Sequence, residues 1–209
     1  IAERAGESCA VVEFGSGSGL KTELLLSGLD RPAAYVPVEI AREFLEVSAG
    51  RIQAQHPELS VLPVCADFMQ QVKLPSLPED AGRAGVYFLG STIGNFELHE
   101  AVELMARMAE VAGPDGGLLI GADLRKDPSI LKAAYDDAAG VTSAFNFNLL
   151  ERINRELDAD FDLEAFRHRA IYNDQLGRVE MHLESLDDRD VTIAKTEISF
   201  EAGETIHTE

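Results

Sequence analysis

VVEFGSGSGL, residues 11–20, is an apolar run that breaks into alternating glycine and serine. The apolar half reads as a buried strand, and a strand that feeds a glycine loop commonly holds a nucleotide-like ligand there. Three ligands have to be separated: a dinucleotide, a phosphate, and a ligand without phosphate. The dinucleotide fingerprint G-x-G-x-x-G needs a third glycine where Leu20 stands when counted from Gly15 and Gly17, and counting from Gly17 and Gly19 fails in the same way. A phosphate-binding Walker loop needs G-K-S/T, but Lys21 follows Leu20 rather than a glycine. What remains is an acidic residue, Glu13, followed by glycines at alternate positions: Glu13-x-Gly15-x-Gly17-x-Gly19.

Outward from the loop, strands and helices alternate. KTELLLSGL (21–29) reads as a helix ending near Gly28, and AAYVPVEI (33–40) as a second strand. AREFLEVSAGRIQAQH (41–56) has helical spacing and is stopped by Pro57, after which LSVLPVCADF (59–68) is expected to be a third strand. GVYFLGS (85–91), the amphipathic HEAVELMARMAEVA (99–112), a GPDGG turn and GLLIGADL (117–124) continue the rhythm. This order implies an α/β fold with a Rossmann-like, doubly wound parallel sheet. After Asp123 the rhythm changes. Two helical stretches, SILKAAYDDAAG (129–140) and SAFNFNLLERINREL (143–157), precede three alternating ones, FRHRAIYN (166–173), RVEMHLESL (178–186) and VTIAKTEISF (191–200), spaced like hairpin strands. Residues 1–126 are therefore read as a cofactor-binding domain and 127–209 as a helical and β-rich substrate cap.

The 209 residues are 45% hydrophobic, enough for one substantial core or a core with an appendage. Eighteen basic residues against 37 acidic ones give a formal charge of −19, so a nucleic acid meets net repulsion. Cys9 and Cys65 match no metal spacing and are expected to be small buried hydrophobes in a reducing compartment. No apolar run is long enough for a membrane span, and IAERAGES lacks the basic and apolar regions of a signal peptide. A cytoplasmic monomer without metal or membrane contact is expected, and the start at Ile1 and the end at GETIHTE suggest a piece of a longer chain.

In a sheet of this kind the ligand lies outside the carboxyl ends of the strands, which gathers Gly15, Glu39, Asp67 and Gly90. Taken singly, each has a plainer reading: a tight turn, a solvated strand end, a helix N-cap. Their order after successive strands is the stronger signal. The pattern Glu13-x-Gly15-x-Gly17-x-Gly19 resembles the first motif of S-adenosylmethionine-dependent methyltransferases. Glycines let the backbone approach the methionyl part and the adenosine, with no diphosphate to neutralise. Glu39 suits two ribose hydroxyls as an acceptor-only carboxylate, and Asp67 with Phe68 suits an adenine amino group and ring face.

A closer resemblance covers the chain from about residue 11 to its end. FGSGSGLKT, YVPVEIAREFLE, PVCADF, GSTIGNF, the block from GADLRKDPSILKAAYDDAAG through NREL, DFDLEAFRHRAIYN and RVEMHLES together resemble the histidine-specific methyltransferase family. Its members trimethylate the α-amino nitrogen of L-histidine to hercynine in ergothioneine biosynthesis. GSTIGNF and the block from Tyr135 to Leu157 are specific to the family; the glycine loop is common to methyltransferases. The resemblance implies S-adenosyl-L-methionine as cofactor, held by Gly15, Gly17, Lys21, Glu39, Asp67 and Phe68. It also implies that Asn95 and Tyr135 hold the amino and carboxylate end of histidine; for in-line transfer to a neutral amine, Tyr135 could orient the amine or accept its proton through water, and orientation is expected first because a free phenol has a pKa of about 10. Gly90 would offer its carbonyl, Met181 would line the pocket, and Glu209 would grip the imidazole. Read from the residues alone, Asn95 fits a turn after Gly94, and Tyr135 and Met181 fit core positions. Two other readings keep the cofactor half: a methyltransferase for another small amine or amino acid, and a cofactor-binding partner subunit without turnover.

Overall fold

In a computed structural model, which describes every residue except Ser18 of the glycine loop, β1 (Ala10–Phe14) is buried along its whole length. Such a strand sits in the middle of a sheet covered on both faces. It pairs in parallel with β2 (Ala34–Glu39) on one side and with β5 (Ala84–Phe88) on the other. Two short strands, β3 (Ser60–Val61) and β4 (Val64–Cys65), extend the sheet beyond β2, and β6 (Gly117–Ile120) extends it beyond β5. All of these pairings are parallel, in the order β3-β2-β1-β5-β6 with β4 also on β2.

The side-chain alternation of β1 separates two hydrophobic layers. Val12 and Phe14 join Val36, Val38, Val86 and Phe88 under Leu104 and Met108 of α4 (Leu98–Ala112). Val11 faces the opposite way, with Tyr35 and Tyr87, under Leu26 of α2 (Leu20–Ser27) and Ile52 of α3 (Arg42–Gln55). Helices on both faces make the sheet doubly wound. A further short helix, α1 (Ala2–Ala5), precedes β1. The chain runs from β1 outward to β4 and then returns to β5 on the other flank of β1, so the carboxyl end of β1 is the topological switch point.

The third strand departs from the sequence expectation. LSVLPVCADF forms two two-residue ladders rather than one strand, and Pro63 lies between them. Proline has no N–H to give to a ladder, which explains the break. Cys65 is a second correction: it is exposed, with its Sγ 3.5 Å from the carbonyl of Ile40, whereas Cys9 is buried as expected.

The chain divides into two compact units, Ile1–Asp123 and Leu124–Glu209. In the second, α5 (Pro128–Tyr135) starts at Asp127, whose carboxylate accepts the Ser129 N–H, with Pro128 in the first turn. Asp137 accepts the Val141 and Thr142 N–H groups at 3.1 and 2.8 Å at the start of α6 (Val141–Leu157), and these bonds pull its carboxyl down to about 2. β7 (Phe166–Asn173), β8 (Arg178–Ser185) and β11 (Thr205–His207) form an antiparallel sheet in the order β11-β8-β7. Leu150 of α6 packs with Phe161, Phe166, Leu183 and Val191 as the core of this unit.

VTIAKTEISF is not one strand but the heart of a hairpin, β9 (Arg189–Ile193) and β10 (Thr196–Phe200). Ile193 pairs with Thr196 across Ala194 and Lys195, both at positive φ (46° and 78°). That is the geometry of a two-residue primed turn, which sequence reading looks for as Asn-Gly or Asp-Gly. Here alanine and lysine carry it, so the turn had no local signal.

Candidate active site

Gly15, Gly17 and Gly19 all have positive φ, at 69°, 50° and 68°. A side chain at any of them would be strained, and the loop can therefore pass backbone close to a bound group. Gly15 N–H donates to the carbonyl of Val38, which ties the loop to the end of β2. Glu39 closes that strand, and its carboxylate faces the loop: Oε2 accepts the Gly17 N–H at 3.4 Å, and Oε1 accepts the N–H groups of Ile40 and Ala41 at 2.9 and 3.3 Å. An oriented carboxylate beside a glycine loop at a switch point suits a vicinal diol, since it can only accept.

Glu13 does not reach the loop surface. It is buried, and its Oε2 accepts the hydroxyls of Thr22 in α2 at 2.6 Å and Tyr35 in β2 at 2.7 Å. Burial pushes its carboxyl up against the opposing pull of those two hydroxyls and of Lys21. The acidic residue of the motif thus pins together the three elements that flank the loop. Lys21 points toward the other flank of β1, where a Cβ on Gly90 would lie 3.6 Å from its Nζ.

Asp67 and Phe68 follow β4 at the same edge. Asp67 is exposed and accepts the Met69 N–H at 2.8 Å through Oδ1, an Asx turn rather than a helix cap, since no helix follows. Phe68 packs against Phe14, Phe88 and Phe96 with ring centroids 5.9, 5.8 and 6.5 Å away. Its contacts are those of a core edge, and the Cβ that Gly15 lacks would touch its ring at 3.5 Å. Beyond β5, Gly90 has φ 84° and Ser91 φ 64°, and a 3-10 turn, Thr92–Asn95, presents Asn95 at the surface. The first unit therefore gathers Gly15, Gly17, Lys21, Glu39, Asp67, Phe68, Gly90 and Asn95 at the carboxyl ends of its strands.

The other three candidates belong to the second unit. Met181 is buried in β8, and its N–H donates to the carbonyl of Glu209 at 2.8 Å, while the Thr208 N–H and hydroxyl both donate to the Met181 carbonyl at 2.9 Å. Glu209 thus lies beside Met181 as a continuation of β11. Tyr135 ends α5 with 36% of its surface exposed, and its carbonyl accepts from Nε2 of His168 at 2.7 Å. His168 and its partner Asn146 were not singled out from the sequence.

Another group the sequence did not reveal is Glu180, His182 and His207, whose ligand-type atoms lie within 4.8 Å of one another. One carboxylate oxygen of Glu180 already accepts from Arg178 at 2.8 Å and Asn173 at 3.1 Å, and the two imidazole rings stack at 4.7 Å. Arg169 and Arg167 stand nearby on Glu184. Burial, then His207, pulls the His182 imidazole below its ordinary value. His182 Nε2 is buried 3.6 Å from Glu180 Oε2 and has no hydrogen-bond partner among the described residues, while its Nδ1 lies 3.1 Å from the Thr205 hydroxyl.

A family profile described as histidine-specific methyltransferase, SAM-dependent, matches residues 1–209. Histidine N-alpha-methyltransferase of Mycolicibacterium smegmatis is 40% identical over 205 residues, 95% of this chain and 63% of that protein. The protein of the same name from Mycobacterium tuberculosis is 39% identical over 204 residues, again 95% of this chain and 63% of its own length. Ergothioneine biosynthesis protein 1 of Neurospora crassa is 30% identical over 78% of this chain and 20% of its own. This chain therefore spans 63% of the length of each mycobacterial relative. Among solved structures, the mitomycin 7-O-methyltransferase MmcR superposes with a TM-score of 0.43 at 18% identity, covering 90% of this chain and 49% of that one.

Proposed function

Since the chain belongs to the histidine-specific, SAM-dependent methyltransferase family, we propose that its activity is methylation of the α-amino nitrogen of L-histidine, three times over, to hercynine. The observation that carries this reading is the coincidence of that family match with a loop of three left-handed glycines facing the Glu39 carboxylate. In this reading residues 1–126 bind S-adenosyl-L-methionine and 127–209 form the substrate cap. A free amino acid, rather than a nucleic acid, is the substrate class that a charge of −19 favours. Among the described residues no helix is long and apolar enough to cross a membrane. We place the enzyme in the cytoplasm as a monomer, in keeping with two free cysteines.

S-adenosylmethionine, when bound, supplies a methyl group on a sulfonium that a neutral amine can displace in line. The protein's own work is alignment, which is worth up to about 7–11 kcal/mol when reacting atoms are well oriented. Gly15 and Gly17 admit the cofactor's backbone-hugging parts, Lys21 stands beside the loop, Glu39 accepts from the ribose hydroxyls, and Asp67 with Phe68 bounds the adenine. Asn95 and the Gly90 carbonyl hold the amino acid at the carboxyl end of β5. Tyr135 orients the amine as the catalytic residue. Met181 lines the side-chain pocket, and Glu209 accepts the imidazole N–H. The amine gives up a proton to solvent before each transfer, so that the nitrogen attacks with a lone pair, and aromatic and amide neighbours tolerate the final trimethylated ammonium.

The imidazole role has a direct test. Glu209→Gln keeps an acceptor oxygen but removes the charge and adds two donors. In the full natural chain it is expected to weaken L-histidine binding by roughly 1–2 kcal/mol, because charge-assisted hydrogen bonds are about twice as strong as neutral ones, and to leave cofactor affinity unchanged. Calorimetric titration of both ligands reads the two effects separately. Equal histidine affinities in the variant and the parent would refute the role, and loss of both ligands would make Glu209 a residue of the fold.

A further inference from the structure

A chain of hydrogen bonds in the second unit ends on the backbone of Tyr135, and its direction can be worked out. Asn146 of α6 is 3% exposed. Its side-chain nitrogen lies 3.2 Å from the backbone carbonyl of His182 and 2.9 Å from Nδ1 of His168. A carbonyl only accepts, so the amide group facing it has to be the NH2, and that same NH2 donates to Nδ1. Nδ1 therefore carries a lone pair and the ring proton sits on Nε2. Nε2 is 2.7 Å from the carbonyl of Tyr135, which again only accepts. Both ends of the chain are backbone carbonyls, so neither the amide nor the tautomer can be reversed without setting acceptor against acceptor.

The anchored carbonyl belongs to the last turn of α5, where helical carbonyls lack an intrahelical partner. The Asp136 N–H still bonds back to Lys132, and the chain then leaves the helix. The other end of the hydrogen-bond chain is the carbonyl next to Met181 on β8, the strand that also carries Glu209 through Met181. We propose that His168, held as its Nε2–H tautomer by Asn146, is a positioning residue that fixes the end of α5 and thereby the direction in which the Tyr135 phenol meets the substrate amine. This rests on the substrate role given to Tyr135 above. His168 makes no contact with the reacting atoms in this scheme. It registers Tyr135 against the strand of Met181 and Glu209, so that the three substrate residues of this unit keep one geometry.

Two variants of the full natural chain separate positioning from bulk stability. His168→Gln places an amide NH2 near the former Nε2 and can still donate to the Tyr135 carbonyl. His168→Asn reaches only the former Nδ1. Displacement of a catalytic group by about 1 Å can cost on the order of 100-fold in rate, so His168→Asn is expected to lower kcat/KM for L-histidine by on the order of 10- to 100-fold with S-adenosylmethionine affinity unchanged. His168→Gln is expected to recover most of the loss. Wild-type kcat/KM in His168→Asn, or a Gln variant as impaired as the Asn variant, overturns the proposal. Long-range 15N NMR of the imidazole supplies a readout independent of turnover: the Nε2–H tautomer is expected, and the Nδ1–H tautomer would break the chain at its centre. A parent protein that leaves histidine unmethylated defeats the functional reading itself, and the tautomer measurement still decides the hydrogen-bond chain.

Discussion

Glu13→Ala is expected to destabilise the first unit by about 3 kcal/mol or more, although Glu13 touches no ligand in this account. Glu13 is 4% exposed, and its Oε2 is the shared acceptor for the hydroxyls of Thr22 and Tyr35, residues that are themselves 0% and 1% exposed. Alanine leaves both hydroxyls buried without that acceptor, at about 1–3 kcal/mol each, and adds the cost of a cavity between β1, α2 and β2. Because these elements flank the glycine loop, cofactor affinity should fall with stability. Glu13→Gln should be much milder, since it keeps an acceptor oxygen and removes a buried charge. The pH dependence follows from the sign of the shift. Burial raises the folded carboxyl above its unfolded value, so the folded state holds the proton more tightly. The stability this contributes is fully present below the ordinary glutamate range and is lost as pH rises through the raised value. Glu13→Gln should therefore gain on the parent as pH increases from acid to neutral. Denaturant unfolding at several pH values checks both points. An alanine variant as stable as the parent, or a Gln difference that is flat with pH, would contradict them.

Glu39→Ala is the largest expected effect on ligand binding. In the full natural chain it should weaken S-adenosylmethionine binding by about 1–3 kcal/mol, because two ribose hydroxyls lose a charged acceptor. The geometry adds a second contribution, since the same carboxylate receives the Gly17 N–H and helps hold the loop in place. Glu39 lies at the surface end of β2, and its loss should leave the melting temperature nearly unchanged, unlike that of Glu13. Calorimetry against S-adenosylmethionine, paired with a thermal melt, separates the two residues. Unchanged affinity would remove Glu39 from the cofactor site.

The parallel sheet was legible because its central strands are continuous apolar runs punctuated by glycine and proline, and the helices between them keep a 3.6-residue period. The same reading failed where the deciding interaction was not local. Pro63 split a strand that its apolar neighbours suggested was whole, and a primed turn formed on Ala194 and Lys195, residues that do not advertise one. Cys65 was expected inside, yet its two-residue strand at the sheet margin leaves it exposed. Glycine spacing and strand order pointed to Gly15, Gly17, Glu39 and Asp67 from the residues themselves, whereas Tyr135, Met181 and Glu209 came only through family resemblance. Nothing in the sequence indicated that Glu13 would turn inward to Thr22 and Tyr35. His168 and Asn146 were invisible for the same reason: their partners are backbone carbonyls 33 and 36 residues away.

The most direct test of the central claim is mass spectrometry of L-histidine incubated with the full natural chain and S-adenosylmethionine. Histidine is expected to gain methyl groups stepwise, up to three and all on the α-nitrogen, with one S-adenosylhomocysteine released for each. Histidine left unmodified by a protein that binds S-adenosylmethionine normally, or a methyl group on the imidazole ring, would contradict the account.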